Sequence, residues 1–428
     1  MSAPEGSAAF GERWGTADEV LDHVRDGMDL ATGLIEPTTL LAALSHRDVG
    51  GSALVAVMGL GGLALSQNPR FRLRTGFATI ASAPLVAAGR CEYLPLLFSE
   101  ARHHMRRVNA DCVLVRLAPP DPPNPDGLCS YGWAAGFTPE LLDVARERGV
   151  PILAEIDPEL PQTRSGREIP VDAITAACAA QGEAASDTPV PPSPHLDAMV
   201  GHLAPLIPDG ATLQVGIGSV PDAAMERLGA RELGIHTEVL GPGLARLVKR
   251  GQATGQRKAV DRGVAVCTIA SVDPDVRELV EAHGLAEVRA AGDVLDPQRI
   301  AQHDSLRCIN SALAVDLRGQ VNAESFGWQQ TAGVGGQLDF FRGAGLRDDA
   351  LRIVVLASQT SKGQARIVAG HPPGSVITAT RYDVDVVVTE HGAAWLRDRT
   401  DEERARALAA VAHPHHREAL EKERFQAG

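Results

Sequence analysis

A single glutamate stands between a His-Thr pair and a glycine-proline turn in the stretch GIHTEVLGPG, residues 234–243. The turn Gly241-Pro242-Gly243 follows a short apolar run, so the pattern places Glu238 near the end of a strand, beside a rigid loop. A carboxylate in that position can serve as a nucleophile. Its ordinary pKa of about 4.3 keeps it ionised at neutral pH without a general base. These ten residues leave open the alternative of a solvated loop acid.

A second stretch, LQVGIGSVPDAAMERL, runs from an apolar strand into a helix through the loop Gly216, Ile217 and Gly218. Pro221 suits the first turn of that helix, whose free backbone amides can hold a phosphate or a developing oxyanion. An ordinary tight turn is an equally good interpretation. The loop is not the dinucleotide fingerprint GxGxxG, because Pro221 stands where the third glycine belongs.

Three glycines within four positions, Gly333, Gly335 and Gly336, open the stretch GVGGQLDFFRGA. Glycine lets the backbone approach a ligand where a Cβ atom would clash, so these residues are candidates for ligand contacts. A glycine-rich hairpin turn is the alternative. Upstream, the alternation at 314–317 followed by Gly319 predicts a hairpin that leads towards the three glycines.

Patterns for several other chemistries are missing from the sequence. GxSxG, GxxxxGK[ST] and HExxH do not occur, so serine-hydrolase, P-loop and zincin mechanisms have no support. The six cysteines form no CxxC pair, which predicts small core residues rather than disulfides or a thiolate metal site. His413, His415 and His416 are expected on a solvated surface, and no metal site is predicted.

Alternating strands and helices must position these residues. Helical spacing of apolar residues before a glycine is found in TPELLDVARERG, VPDAAMERLG and PDVRELVEAHG. Apolar runs of buried-strand length recur around them: DCVLVRLAPP, VPILAEIDP, ATLQVGIGSV, GVAVCTIAS, LRIVVLAS and DVDVVVTEHG. This alternation predicts an α/β fold with mainly parallel sheets.

The length of the chain indicates two domains. Its 428 residues exceed the usual size of one domain, and the polar, proline-rich stretch QGEAASDTPVPPSP divides it near the middle. We therefore expect an N-terminal α/β domain at 1–185, a linker at 186–196, and a C-terminal α/β domain carrying Glu238 at 197–428.

Charge and hydropathy exclude two classes of partner. The net charge of -13 argues against nucleic-acid binding, which needs concentrated Lys and Arg. The N-terminus has no signal-peptide pattern, and no stretch reaches the roughly 18 apolar residues that a membrane span requires. The sequence therefore predicts a cytoplasmic protein that binds neither nucleic acid nor membrane.

Several stretches together resemble the acetyl-CoA hydrolase/transferase family of class I CoA-transferases, which includes acetate and 4-hydroxybutyrate CoA-transferases. The likeness spans nearly the whole chain. It implies two related open α/β lobes with mainly parallel sheets and a homodimer, while the Ala- and Arg-rich composition suggests a bacterial source. The most specific stretches, in chain order, are GIHTE, INSALAVDLRGQVNAESFG, GVGGQLDFFRGA, VVVTEHGAAWLRDRT with ERARAL, and AHPHHREAL.

The resemblance also implies a reaction. In this family the glutamate of the GIH-Thr/Ser-Glu segment is the nucleophile, and Glu238 occupies that position. The implied activity is acyl-CoA:carboxylate CoA transfer through a glutamyl anhydride and a glutamyl-CoA thioester, on a short or medium acyl-CoA. Coenzyme A and acyl-CoA are then substrates, a carboxylic acid is the acceptor, and no cofactor is permanently bound. Oxyanion and CoA contacts are expected from Gly216, Ile217, Gly218, Gly333, Gly335 and Gly336.

Two positions depart from the family pattern. Gly241-Pro242-Gly243 replaces a usual Ser-Asp-Gly turn, and Leu295 stands where Asn commonly precedes Asp-Pro beside the nucleophile. Leucine cannot donate a hydrogen bond, so a slower cycle or a different acyl group or acceptor is expected. Leu295, Phe326 and Trp328 are candidates for the substrate pocket, with core positions as the alternative. An acyl-CoA hydrolase, an acyltransferase to a non-carboxylate acceptor and a non-catalytic acyl-CoA-binding protein are the competing interpretations.

Overall fold

Two compact units make up the structure, a computed structural model that describes residues 7–57, 59–123, 125–182, 195–216, 219–282 and 284–426. The first unit comprises the described residues within Met1–Asp187, Thr268–Asp293 and Gln330–Gly333. The second comprises those within Thr188–Cys267, Val294–Gln329 and Val334–Gly428. Two segments from the later half of the chain therefore belong to the first unit. The linker predicted at 186–196 falls almost entirely outside the described residues, and the domain boundaries stay a prediction.

The first unit is built on a seven-stranded sheet. Its strands are β1 Met28–Thr32, β2 Gly51–Leu54, β3 Phe71–Thr75, β4 Cys91–Tyr93, β5 Cys112–Leu117, β6 Ile152–Ile156 and β7 Ala176–Ala179. They lie in the order β7-β6-β5-β1-β2-β3-β4, and all neighbouring pairs are parallel. Every residue of β5 is buried, as expected for a parallel strand covered on both faces. Its one charge, on Arg116, is neutralised by Asp157 at 2.7 Å.

The second unit is built on a six-stranded sheet. Its strands are β8 Thr212–Val215, β9 Gly234–Ile235, β10 Leu306–Asn310, β11 Leu351–Val355, β12 Val386–Thr389 and β13 Gly392–Trp395. They lie in the order β9-β8-β10-β11-β12-β13, and only the edge pair β12 and β13 is antiparallel. Together the two sheets confirm the predicted α/β fold with mainly parallel strands.

Helices alternate with these strands along much of the chain. The helix predicted from TPELLDVARERG is confirmed at Thr138–Arg148, and Gly149 caps it with a φ of 67°, the left-handed conformation that favours glycine. Within the described part of the chain, no helix combines the length and apolar character needed to cross a membrane. The α-helices are α1 Ser7–Phe10, α2 Ala17–Val20, α3 Thr38–Leu44, α4 Leu60–Leu65, α5 Ala83–Ala87, α6 Ala101–Val108, α7 Thr138–Arg148, α8 Leu196–Leu203, α9 Ser219–Met225, α10 Pro242–Lys249, α11 Pro274–Glu281, α12 Ala291–Val294, α13 Pro297–Ile300, α14 Gln337–Ala344, α15 Asp401–Val411 and α16 Pro414–Gln426.

Shorter strands lie outside the two large sheets. The predicted hairpin is confirmed, since Ala314 pairs antiparallel with Asn322 and Gly319 takes a φ of 88° at the turn. The stretch GVAVCTIAS, predicted as one buried strand, is instead two short strands that Thr268 separates. The short strands are Pro120–Asp121, Leu128–Cys129, Ile169–Pro170, Val239–Leu240, Ala265–Cys267, Ile269–Ala270, Ala286–Val288, Ala314–Asp316, Val321–Asn322, Ser325–Phe326, Gln329–Gln330 and Ile367–Val368.

All six cysteines are buried and unlinked, which confirms their prediction as small core residues. Their positions follow from the strand pattern, because Cys112, Cys178 and Cys308 each lie within a buried strand of one of the large sheets. A thiol in such a place behaves as a small apolar side chain.

Candidate active site

Glu238 lies at a bend just after β9, and the two residues before it are firmly attached to the second sheet. The amide of His236 donates to the carbonyl of Leu213 in β8 at 3.0 Å. The hydroxyl of Thr237 accepts the amide of Val215 at 3.2 Å and donates to the carbonyl of the same residue at 3.1 Å. Thr237 is fully buried. These hydrogen bonds fix the backbone that leads into Glu238.

The carboxylate of Glu238 accepts a hydrogen bond from the backbone amide of Gly336, at 2.7 Å between Oε2 and N. Gly336 is the N-cap of α14, so the carboxylate occupies the amino end of a helix, where free amides and the helix dipole favour negative charge. The sequence predicted that these glycines admit a close approach. The sequence suggested a ligand beside these glycines. The structure shows that the side chain of Glu238 lies close to both Gly335 and Gly336.

Both glycines are required by this geometry. Gly335 has a φ of 55°, in the left-handed region that favours glycine. A Cβ atom on Gly336 would lie 2.9 Å from Oε2 of Glu238 and 2.5 Å from Cδ2 of Leu295, closer than carbon contacts allow. The amide can reach the carboxylate only because no side chain stands between them.

Burial raises the pKa of Glu238 to about 7, and the nearby charge of Asp339 acts in the same direction. The hydrogen bond from Gly336 lowers the pKa but does not cancel the loss of water around the carboxylate. The sequence-based expectation of a fully ionised glutamate at neutral pH is therefore wrong. Glu238 therefore takes up a proton at a higher pH than an exposed glutamate does.

Leu295 is the one predicted pocket residue that lies beside this carboxylate. It is fully buried, and its Cδ2 atom faces the position that a side chain on Gly336 would occupy. Phe326 and Trp328, in contrast, are 62% and 88% exposed, and Trp328 lies over Gly374. A role for these two aromatic residues in the substrate pocket stays a prediction.

Gly216, the described residue of the predicted loop at 216–218, does not present its amide to a ligand as the sequence suggested. The Gly216 amide donates to the carbonyl of Ile309 at 2.8 Å, so it continues the sheet and does not point towards a ligand. A Cβ atom on Gly216 would collide with Asn310.

The other predicted contact residues have different positions. Ile217 and Gly218 lie outside the described residues. Gly333 belongs to the first unit, where it packs against Phe77. Oxyanion or CoA contacts by these residues stay predictions.

The unusual glycine-proline turn after Glu238 has a local cause that the sequence analysis missed. Asp222 of α9 accepts the amide of Gly243 at 3.0 Å, and a Cβ atom on Gly241 would lie 2.5 Å from its Oδ1 atom. Pro242 occupies the first turn of α10. In the sequence, only Asp222 could have indicated this contact. It is an acidic residue in the first turn of the short helix that follows the glycine loop.

Known proteins share much of this sequence and its fold. Residues 274–424 match the model of the acetyl-CoA hydrolase/transferase C-terminal domain, a range that contains Leu295 and Gly336 but not Glu238. The 4-hydroxybutyrate coenzyme A transferase of Clostridium kluyveri is 35% identical over 358 residues, covering 82% of each chain. The succinyl-CoA:acetate/propanoyl-CoA:succinate CoA transferase of Fasciola hepatica is 34% identical over 347 residues, covering 79% of this chain and 71% of the relative.

A solved structure extends the likeness to the whole fold. The crystal structure of RipA from Yersinia pestis superposes with a TM-score of 0.90 at 28% identity and covers 99% of both chains. The fold and the named relatives define the class of the protein as a CoA-transferase enzyme. The chain belongs to the acetyl-CoA hydrolase/transferase family.

Proposed function

We propose that this enzyme transfers CoA from an acyl-CoA to a carboxylic acid through covalent intermediates on Glu238. The observation that carries the proposal is the hydrogen bond from the Gly336 amide to Oε2 of Glu238. It orients a carboxylate whose supporting backbone is fixed to the sheet. The relatives named as CoA transferases at 34–35% identity support the same reaction.

The reaction begins when a carboxylate oxygen of Glu238 attacks the thioester carbonyl of the acyl-CoA. The C–S bond breaks, CoA leaves as the thiolate, and an acyl-glutamyl anhydride forms. The thiolate then attacks the glutamyl carbonyl carbon, which releases the first acid as its carboxylate and leaves a glutamyl-CoA thioester. A second carboxylate reverses the two steps. One activated acyl bond is retained throughout, so the cycle needs neither ATP nor a permanently bound cofactor.

The hydrogen bond that the Gly336 amide donates to Oε2 gives the two oxygens of Glu238 different roles. Oε2, held by the amide, becomes the carbonyl oxygen of the anhydride and of the thioester. Oε1 is then the oxygen that attacks. When the thiolate attacks the glutamyl carbon, negative charge develops on Oε2, where the Gly336 amide already donates. One such preorganised donor contributes roughly 10²–10³ in rate.

Leu295 gives the pocket beside Glu238 an apolar wall. It is fully buried and places an apolar side chain against Gly336, next to the carboxylate. An apolar neighbour offers no hydrogen bond that could hold a water molecule for attack on the anhydride or thioester. We infer that Leu295 shapes the pocket for a short or medium acyl group. Phe326 and Trp328 are further candidates for contacts with the acyl group, and a homodimer is the expected assembly.

Intact-protein mass spectrometry tests the covalent route. The enzyme is incubated with a panel of short and medium acyl-CoAs without acceptor acid and then treated with borohydride, which reduces a glutamyl thioester irreversibly. A mass change confined to Glu238 in the wild type, and its loss in Glu238→Ala, is the expected result. Glu390→Gln is the matched control, because Glu390 also accepts a backbone amide, from Ser358 at 2.9 Å, in the same unit.

Two outcomes would overturn the proposal. One is a Glu238→Ala enzyme that transfers CoA as fast as the wild type. The other is steady release of CoA in the absence of any acceptor acid, without a modified Glu238, which would identify a hydrolase. Exchange of labelled carboxylic acid into acyl-CoA provides an independent measure of transfer.

A further inference from the structure

Three metal-ligating side chains that the proposed reaction does not use converge in the second unit. A ring nitrogen of His236, a ring nitrogen of His303 and a carboxylate oxygen of Asp261 all lie within 4.8 Å of one another. His236 and His303 are buried, at 2% and 0% exposure, and Asp261 is partly exposed. The residues are far apart in the sequence, so no motif spacing indicates the cluster.

His236 has the hydrogen-bonding pattern of a metal ligand. Its Nε2 atom lies 2.8 Å from the carbonyl of Val294, and a carbonyl can only accept, so Nε2 carries the proton. In the neutral ring the lone pair is then on Nδ1. Metal-binding histidines usually donate their other ring N–H to a carboxylate or a backbone carbonyl in this way, which fixes the tautomer and the ring orientation.

His303 provides a second, independent indication of a ligand. Both of its ring nitrogens are buried, and neither has a hydrogen-bond partner among the described residues. Buried polar atoms nearly always have a partner, so these nitrogens indicate a bound group.

We propose that His236, His303 and Asp261 form a site for a divalent transition-metal ion, with zinc as the representative ligand. Two imidazoles and one carboxylate are a common ligand set for such ions. Asp261 adopts a φ of 52°, a conformation that is rare for residues other than glycine and is often found at functional positions. A bound ion would connect the loops that carry Asp261 and His303 to His236, two residues before Glu238.

The charge of Lys258 limits the affinity of the site. Its ammonium group donates to the carbonyls of Ile235 at 2.9 Å and Val264 at 2.7 Å, which holds it close to the cluster. This charge opposes a bound dication, and the carboxylate of Asp261 offsets it only in part. We therefore expect a metal ion that a chelator removes, in contrast to a closed four-ligand zinc site.

Zinc binding to the full chain tests the site. The protein is stripped with a chelator, dialysed against zinc chloride and measured by elemental analysis and by titration calorimetry. The expected result is one zinc per chain in the wild type and an affinity at least about tenfold lower in Asp261→Asn and His303→Leu. Asparagine keeps the size of Asp261 and tolerates the left-handed conformation, and leucine fills the buried space of His303. His413→Gln, which changes an unrelated histidine, is the matched control and should bind like the wild type.

The proposal is overturned if the stripped wild type takes up no zinc, if both variants bind as tightly as the wild type, or if His413→Gln loses the metal. Circular dichroism verifies that each variant is folded. Should His303→Leu fail to fold, Asp261→Asn alone decides the question. The measurement uses no acyl-CoA, so a negative result leaves the proposed transfer reaction intact.

Discussion

The amide of Gly336 lies 2.7 Å from Oε2 of Glu238 and connects the start of α14 to the bend after β9. The two residues are far apart in the chain, and each has a feature that serves the other. Gly336 has no side chain that would block the approach, and Glu238 stands on backbone held by Thr237. This contact orients one oxygen of the carboxylate, and in the proposed reaction the other oxygen attacks the thioester.

Gly336→Ala is expected to reduce kcat for CoA transfer by about 10²-fold. The new methyl group would lie 2.9 Å from the carboxylate and 2.5 Å from Leu295, so Glu238 must move off the amide. Displacement of a catalytic group by about 1 Å can cost that much. Steady-state kinetics with a saturating acceptor acid measure the effect. Gly370→Ala is the control, since a Cβ atom there meets nothing within 4 Å. Equal rates in the two variants would show that the contact has no part in catalysis.

Transfer activity is expected to rise with pH through about 7. In the proposed reaction the anion of Glu238 is the attacking form, and burial favours the neutral acid by raising its pKa to about 7. Activity is therefore lost as the pH falls below that value, and kcat/KM at pH 6 should be about one tenth of its plateau. The profile is recorded in buffer with a chelator, so that no cation near His236 alters the result. A flat profile between pH 5.5 and 8 would contradict the assignment.

Leu295→Asn is expected to lower the pH at which kcat/KM falls to half of its plateau. An amide group beside Glu238 can donate a hydrogen bond and so stabilise the anion. Replacing a fully buried leucine by a polar residue should lower the free energy of unfolding by about 2–4 kcal/mol. Leu295→Met, which keeps the volume and apolar character, should retain the wild-type pH profile and lose less than about 1.5 kcal/mol. Chemical denaturation and the pH profile of kcat/KM distinguish these effects.

Local patterns predicted the elements better than they predicted the site. The apolar run at 111–120 contains a buried strand, and the helical spacing before Gly149 corresponds to a helix. Both were predictable because a strand buried on both faces is apolar throughout and a helix often has a glycine just after its last residue. The interruption of the strand at Thr268 has no such sequence pattern, since the residues on both sides of Thr268 are apolar. An apolar run does not indicate which strand will pair with it.

The site depends on contacts between distant segments. The sequence identified Glu238 and the glycines separately, but not that Gly336 donates to Glu238. The raised pKa of Glu238 could not be predicted either, because it depends on burial and on Asp339 rather than on neighbours in the chain. The proximity of His303 to His236 could not be predicted either, because it also depends on segments that are distant in the sequence.

Thr237→Val is expected to lower both stability and activity. Valine has nearly the same shape as threonine, but it removes the hydroxyl that accepts the amide of Val215 and donates to its carbonyl. Leaving a buried polar group without its partner costs about 1–3 kcal/mol, and Thr237 is fully buried. Glu238, the proposed nucleophile, is next in the chain, so kcat should fall together with the midpoint of chemical unfolding. Thr237→Ser keeps the hydroxyl and should retain most of the activity. A Thr237→Val enzyme with wild-type kcat would show that this anchor does not control the position of Glu238.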